Sequence, residues 1–206
     1  KLMTMPGAKG LFHKAAVQSG AGRENTLYLD KPNARGLPSA ESDGETFVKS
    51  IGVTAGSVSD LRAISSDAII AAGDPSTFAG GGPIIDGKII PMTVLETFKA
   101  GRQAQVPYLV GYNSAEFPVI AEDLDASVMR TTGAKLSDLP TLAATYPDKD
   151  DMAARVMGDI IFGEPARHLA GLHAARGQPT WLYRFDVISP SVAARWKGTA
   201  HAQERQ

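Results

Sequence analysis

The chain has no cysteine among its 206 residues. Disulfide bonds, thiolate metal sites and a cysteine nucleophile are therefore all excluded. Apolar runs are also short, and none approaches the roughly 18 residues that a membrane-spanning helix requires. We therefore predict no membrane span. The first residues do not have the pattern of a secretory signal peptide, so any targeting signal would precede them, and the compartment stays open.

Neither sign of charge is in excess. The chain carries 21 basic and 22 acidic residues, which gives a formal net charge of -1 at pH 7. Without a basic excess there is no electrostatic basis for binding nucleic acid or an anionic membrane surface. Hydrophobic residues make up 43% of the chain and charged residues 21%. This composition predicts a folded domain, or part of one, rather than a disordered chain.

The stretch from Pro107 to Glu116 has the pattern of a buried strand that delivers a carboxylate to a loop. Tyr108–Val110 is a short apolar run opened by proline, and the turn formers glycine, asparagine and serine follow it. Glu116 comes just after this strand. In open parallel sheets, ligands and catalytic side chains collect at the C-terminal edge of the strands. Taken alone, however, such a residue is more often an ordinary solvated loop carboxylate.

A second strand pattern near the C-terminus gives Glu116 a partner. Residues 181–186 are predicted to form a strand, and the loop that follows carries His201. Hydrolases of the α/β type carry a serine, then an acid, then a histidine, each on a loop after a different strand. Glu116 and His201 have the order of the acid and the histidine. The serine is missing, because no Gly-x-Ser-x-Gly turn occurs in the 206 residues.

Four sequence blocks occur together in one order along nearly the whole chain. They are GLFHKAAVQSG at 10–20, GPIIDG at 82–87, VPYLVGYNSAE at 106–116, and YRFD at 183–186 followed by GTAH at 198–201. With these blocks the chain resembles the C-terminal part of a type-B carboxylesterase, the family that includes bacterial p-nitrobenzyl esterases and cholinesterases. The resemblance implies an α/β-hydrolase fold, with residues 1–206 as the C-terminal portion of a single domain. The strands Ala15–Gln18, Tyr108–Val110 and Trp181–Phe185 would then be parallel neighbours.

The resemblance also implies a chemistry, hydrolysis of a small-molecule carboxylic ester by a Ser-Glu-His triad. Glu116 matches the acid and His201 the catalytic histidine. Ser19 and Glu204 match family positions that support the acid and the histidine loop, so Ser19 is not interpreted as a substitute nucleophile. The nucleophile and the glycine run of the oxyanion hole would precede this chain. Made alone, the 206 residues are therefore expected to be inactive and prone to aggregation.

The remaining candidate groups carry weaker signals. His168 and His173 are five residues apart, about 140° round a helix, so they share no metal-binding face. Both are interpreted as surface or packing residues, as is His13. The glycine run 80–82 lacks the Gly-Lys-Ser/Thr of a phosphate loop, and Phe78 is as typical of a loop anchor as of an acyl pocket. No cofactor and no metal site are predicted.

Helix starts are predicted from serine caps. A capping box, Ser42 with Glu45, predicts a helix through Ile51, and Ser57 or Ser59 and then Ser66 predict two short helices. Another helix is expected over 92–100, stopped by Gly101.

Two alternatives to an esterase stay open. The first is a non-catalytic binding or adhesion module on the same fold, since one fold can host unrelated functions. The second is an unrelated α/β domain that binds a ligand in a crevice at the strand ends. A serine in an upstream Gly-x-Ser-x-Gly turn favours the enzyme, and its replacement favours the binding module. The oligomeric state is equally open.

Overall fold

The structure of the protein, a computed structural model, comprises two compact units. The described residues are 1–20, 22, 26–54, 57–72 and 82–205. The first unit comprises Lys1–Lys9 and Asn25–Glu96, and the second comprises Gly10–Glu24 and Thr97–Gln206.

The second unit is organised around a three-stranded parallel sheet. Its strands are β1 (Ala15–Gln18), β2 (Tyr108–Asn113) and β3 (Thr180–Phe185), in the order β1-β2-β3. The predicted strands and their parallel pairing are therefore confirmed. Strand β2 runs three residues beyond the predicted Val110, because residues 111–113 continue the ladder opposite residues 183–185 of β3.

Gly111 allows this longer strand. A Cβ atom at this position would lie 2.2 Å from the ring of Tyr183, closer than any side chain could approach. The sequence suggested that this glycine ends the strand. Instead it lies within the strand, where the neighbouring tyrosine ring covers the backbone.

One face of β2 packs against the helix α8 (Glu164–Ala174). Tyr108, Val110 and Tyr112 are buried on this face, as are Leu169 and His173 of the helix. The alternation of side chains along β2 places all three strand residues on the same side, whereas Leu109, on the opposite side, is 40% exposed. The sheet is thereby fixed to a helical layer.

Groups of helices lie between consecutive strands along the chain. The α-helices are α1 (Ala40–Ser50), α2 (Val58–Arg62), α3 (Ser66–Ala72), α4 (Val94–Lys99), α5 (Leu124–Thr132), α6 (Pro140–Ala143), α7 (Lys149–Gly158) and α8 (Glu164–Ala174). A π-helical turn, Asp159–Gly163, connects α7 to α8. Single 3-10 turns lie at Leu2–Thr4, Pro6–Ala8, Ala121–Asp123, Leu136–Asp138 and Gln203–Arg205.

A second apolar cluster in this unit joins α5 to α7. Its buried members are Leu124, Val128, Met152, Val156 and Met157. Leu124 and Val128 are four residues apart on α5, and Met152 and Val156 are four apart on α7 with Met157 beside them, so each helix presents one apolar face. This packing fixes α7, and with it the π-helical turn that follows.

One helix start differs from prediction, and in a second helix the capping residue lies one position earlier than the predicted start. The cap of α1 is Ser39 and not Ser42, because the Ser39 hydroxyl accepts the backbone N–H of Ser42 at 3.1 Å. Helix α3 begins at Ser66 as predicted, and the Ser65 hydroxyl caps it by accepting the N–H of Ala68 at 3.2 Å. A run of nearby serines offers several cap positions, and the chain uses the earlier one in both cases.

Other local predictions are confirmed with small shifts. Ser57 is the cap of α2. Helix α4 is shorter than the predicted 92–100, because Thr93 and Glu96 form a reciprocal capping box that starts it at Val94. Gly101 follows it with φ +68°, the left-handed conformation that ends helices.

Candidate active site

Glu116 is buried at the C-terminal edge of the sheet, with 1% of its surface exposed. One carboxylate oxygen, Oε1, accepts the backbone N–H of Asn113 at 2.6 Å and the hydroxyl of Ser19. The other, Oε2, lies 2.6 Å from Nδ1 of His201. A solvated loop carboxylate is therefore the wrong interpretation of Glu116. The buried charge is matched by donors on both oxygens, as burial of a carboxylate requires.

The loop that carries His201 is bonded directly to the loop that carries Glu116. The Ala115 N–H donates to the Thr199 carbonyl at 3.0 Å, and the His201 N–H donates to the Glu116 carbonyl at 3.0 Å. These two bonds continue the β2–β3 pairing past the strand ends, where the Ser114 N–H donates to Phe185 at 2.9 Å. The acid and the imidazole are thus held by backbone as well as by their own contact.

Side chains add a second connection between the same loops. The Ser114 hydroxyl donates to the Asp186 carboxylate and accepts the Thr199 N–H at 2.9 Å. Thr199 also donates its hydroxyl to the Val187 carbonyl at 2.7 Å. Close packing here leaves no room for a side chain at Gly198, where a Cβ would lie 2.7 Å from the Ser114 oxygen.

Asn113 connects the end of β2 to the segment after His201. Its side-chain amide donates to the Ala200 carbonyl at 2.8 Å and to the Glu204 carboxylate at 2.6 Å. Sequence reasoning singled out Glu204 but read Asn113 only as a turn former. Only its burial at the strand end, which the sequence does not show, identifies it as part of the site.

Backbone strain is concentrated next to His201. Among the residues that the structure describes, Ser19 at φ +50° and Ala202 at φ +63° are the non-glycine residues with positive φ. Both line one pocket, whose wall is formed by Gln18, Ser19, His201, Ala202 and Glu204. Strained residues of this kind persist where surrounding contacts hold them, and they cluster at functional sites.

Two aromatic rings surround the imidazole of His201. The Phe117 ring centroid lies 4.9 Å from it at an interplanar angle of 35°, and the Phe162 ring lies 5.6 Å away and nearly parallel, at 11°. Sequence reasoning missed both rings as parts of the site. Phe162 is carried by the π-helical turn, which the 3.6-residue period of a helix does not predict.

Tyr183 adds a titratable group beside these carboxylates. Burial raises the pKa of its phenol, and the negative charges of Glu204 and Glu116 raise it further, against a hydrogen bond from Gln18 that lowers it. Tyr183 is therefore held in its neutral form near the site.

The arrangement suits proton transfer. With Nδ1 occupied by the Glu116 carboxylate, Nε2 is the ring nitrogen left to exchange a proton, and a nearby carboxylate stabilises the imidazolium that forms. The prediction that the two side chains come within hydrogen-bond distance is confirmed by the 2.6 Å contact.

The other histidines lie apart from this pair. His13 is exposed and His168 half-buried. His173 is fully buried, with one ring nitrogen 3.0 Å from the Gln103 amide and the other 2.8 Å from the Val106 carbonyl. It is a packing residue, one of the two roles that the sequence left open. Phe78 and Gly80 lie outside the described residues.

The described residues contain neither a cluster of metal-binding side chains nor a helix suited to a membrane. They hold no group of three or more histidine, cysteine, aspartate or glutamate side chains placed to bind a metal ion. No helix within them is long and apolar enough to cross a membrane.

Comparison with known proteins gives one consistent result. The family model for carboxylesterases matches residues 1–146. The para-nitrobenzyl esterase of Bacillus subtilis (strain 168) is 27% identical over 202 residues, which cover 90% of this chain and 39% of that protein. Carboxylesterase 1D of Mus musculus is 26% identical over 233 residues, covering 94% of this chain and 40% of that protein.

A solved structure, a PNB esterase, superimposes with a TM-score of 0.70 at 25% identity, over 98% of this chain and 44% of that one. The chain thus spans about two fifths of the length of the proteins it matches. The parallel sheet with flanking helices has the α/β-hydrolase fold of these esterases. Because the family model matches more than two thirds of this chain, the chain belongs to the carboxylesterase family.

Proposed function

We propose that this chain supplies the acid and the histidine of a Ser-Glu-His triad in a carboxylic-ester hydrolase. The observation that carries the proposal is the contact of 2.6 Å between the buried Glu116 carboxylate and Nδ1 of His201. In this proposal the nucleophilic serine and the oxyanion hole come from polypeptide that precedes these residues in the complete protein, and residues 1–206 are the C-terminal portion of one catalytic domain.

His201 acts as the base and then as the acid. Its Nε2 takes the proton from the serine hydroxyl as the oxygen attacks the ester carbonyl, and later returns a proton to the leaving alkoxide. Water then attacks the acyl-enzyme with the same histidine as base. Glu116 holds the ring so that Nε2 faces the reaction, and its charge stabilises the imidazolium.

Ser19 and Glu204 are positioning residues in this scheme. Ser19 donates to the carboxylate oxygen that does not face His201, which leaves the other oxygen to the imidazole. Glu204 accepts from Asn113, whose amide also holds the carbonyl of Ala200, next to His201. Both residues act through the acid or the histidine and touch no reacting atom.

Two further observations support the proposal. The side chain of His201 is 43% exposed and that of Glu116 is fully buried, so the pair has a solvent-facing base and a protected acid. The match of the family model ends at residue 146, so Ser19 and Glu116 lie within it while His201 lies beyond. The contact of His201 with Glu116 therefore supports its assignment with an observation that this match does not supply.

The chain alone is expected to show no esterase turnover. Loss of the nucleophile from a triad costs on the order of a millionfold in rate. Full esterase activity of the isolated 206 residues would contradict the proposed missing serine.

A fluorophosphonate reagent, which forms a covalent bond with an activated serine, tests the proposal in the complete protein. We expect His201→Gln to slow labelling by at least about 1,000-fold, because the base that activates the serine is gone. His13→Gln is the matched control, since His13 is exposed. Labelling of the His201→Gln protein at the rate of the control would contradict the proposal. Absence of labelling in the unsubstituted protein would favour a binding module.

A further inference from the structure

The imidazole of His201 has one side-chain hydrogen bond, from Nδ1 to Glu116, and lies in a loop with 43% of its side chain exposed. A hydrogen bond at one ring nitrogen fixes its direction but leaves the plane of the ring free to turn about that bond. Catalysis needs the opposite nitrogen within a fraction of an ångström of its target. Some other contact has to fix the plane of the ring.

Phe162 provides that contact. Its ring is nearly parallel to the imidazole, at 11° with centroids 5.6 Å apart. Phe117 contacts both rings, at 4.9 Å from His201 and 5.6 Å from Phe162, so the three rings form one cluster. Phe162 is 7% exposed, whereas Phe117 is 41% exposed. Phe162 is therefore anchored in the protein interior and reaches the imidazole from inside.

The π-helical turn Asp159–Gly163 places Phe162 against the site. The extra residue of a π-helical turn changes the direction of the side chains that follow it, and such turns are frequent at functional sites. The turn is fixed by a hydrogen bond of 2.8 Å from the Tyr146 hydroxyl to Asp159.

Glycines at both ends let this turn approach the sheet. A Cβ at Gly158 would lie 3.0 Å from Cβ of Glu116, and a Cβ at Gly163 would lie 3.0 Å from the Tyr112 ring. One turn therefore contacts the acid with its backbone and the base with its aromatic side chain. This arrangement couples the positions of Glu116 and His201.

We propose that Phe162, presented by the π-helical turn, is a positioning residue that fixes the plane of the His201 imidazole. The proposal rests on the proposed function, because it assigns Phe162 to the histidine of that triad. Phe162 acts through His201 and not on the substrate, since its ring is buried. Its removal should therefore lower kcat and leave KM unchanged.

The test is steady-state hydrolysis of a p-nitrophenyl ester by the complete protein. An aromatic contact of this kind stabilises the position of the ring by a free energy that corresponds to a factor of about 3–10 in rate. We expect Phe162→Leu to lower kcat by about that factor with KM within twofold of the original. Phe162→Tyr retains the ring and should restore most of the rate. Ile161→Val, in the same turn, is the matched control and should retain kcat, because the shortened side chain still packs on the cluster between α5 and α7.

The variants separate this proposal from the proposed function. If His201→Gln retains activity, the proposed function fails. If His201→Gln is inactive but Phe162→Leu retains full kcat, only the role of Phe162 fails. An increase of KM in step with the loss of kcat, or no recovery with Phe162→Tyr, would also overturn that role.

Folding is checked by far-ultraviolet circular dichroism. Where Phe162→Leu loses the folded signal, Phe162→Met is used, because the flexible methionine side chain refills an irregular gap. If both variants unfold, Phe162 is a core residue and the proposal is overturned.

Discussion

Ser19 offers a direct test of the hydrogen bonds around Glu116, because it combines a bond to the acid with a strained backbone. Its hydroxyl donates to a carboxylate that is 1% exposed, and its φ is +50°. Ser19→Ala removes the bond and keeps the strain. A hydrogen bond to a charged group contributes about 1.5–3 kcal/mol, so the free energy of unfolding should fall by about that amount.

Ser19→Gly removes the same bond and relieves the strain. The left-handed conformation costs a residue with a Cβ about 1–2 kcal/mol, part of which is offset by the greater freedom of glycine in the unfolded chain. Ser19→Gly should therefore be about 1 kcal/mol less destabilising than Ser19→Ala, although glycine is usually the more destabilising replacement.

The assay is urea unfolding of the complete protein followed by far-ultraviolet circular dichroism. Ser189→Ala serves as the control, because Ser189 is exposed and its replacement should change the free energy of unfolding by less than about 0.5 kcal/mol. The reasoning is refuted if Ser19→Ala behaves like this control, or if Ser19→Gly is as destabilising as Ser19→Ala.

Three further predictions concern the same unit of the complete protein. Gly198→Ala should lower ester turnover at least about tenfold, since its Cβ would lie 2.7 Å from the Ser114 oxygen and displace the histidine loop; unchanged kcat would contradict this. Ala202→Gly should raise the free energy of unfolding by about 1 kcal/mol in urea titrations, because it relieves φ +63°; a loss of stability would be the wrong sign. Burial raises the pKa of Tyr108 to about 12, so its neutral form is favoured in the fold. The raised pKa contributes about 2–3 kcal/mol to the free energy of unfolding, a contribution that is complete below about pH 10 and is lost as the pH rises to about 12. Tyr108→Phe should lack this loss in unfolding measurements between pH 9 and 12.

The acid and the histidine could be predicted because their sequence order translates directly into space. In a parallel sheet, residues that follow neighbouring strands meet at the same edge. Glu116 follows β2 and His201 follows β3, and these strands are adjacent. The three strands were predictable for a similar reason, since each is a short apolar run bounded by turn residues.

Helix starts were harder to predict from the sequence, because several nearby residues carry the same capping signal. Ser39 and Ser42 both have the chemistry of a cap, and the N–H groups of one turn decide between them. Nothing in the sequence around residue 42 shows that an earlier serine already accepts the N–H in question. The result is a helix displaced by a few residues at its start.

The aromatic surroundings of His201 could not be predicted from sequence. Phe162 lies 39 residues before His201, and the contact depends on a π-helical turn whose extra residue leaves no mark in the apolar pattern. Asn113 was missed for another reason. Its residue type is typical of turns, and only its burial beside two acceptors distinguishes it from one.

Ester hydrolysis by the Glu116→Gln variant of the complete protein tests the central claim most directly. The amide keeps the shape of the side chain but removes the charge that fixes and stabilises the imidazolium. We predict a loss in kcat on the order of 10,000-fold, the size of effect expected when a triad acid becomes an amide, with the circular dichroism spectrum unchanged. A folded Glu116→Gln protein whose kcat is within tenfold of the original would contradict the assignment of Glu116 as the acid.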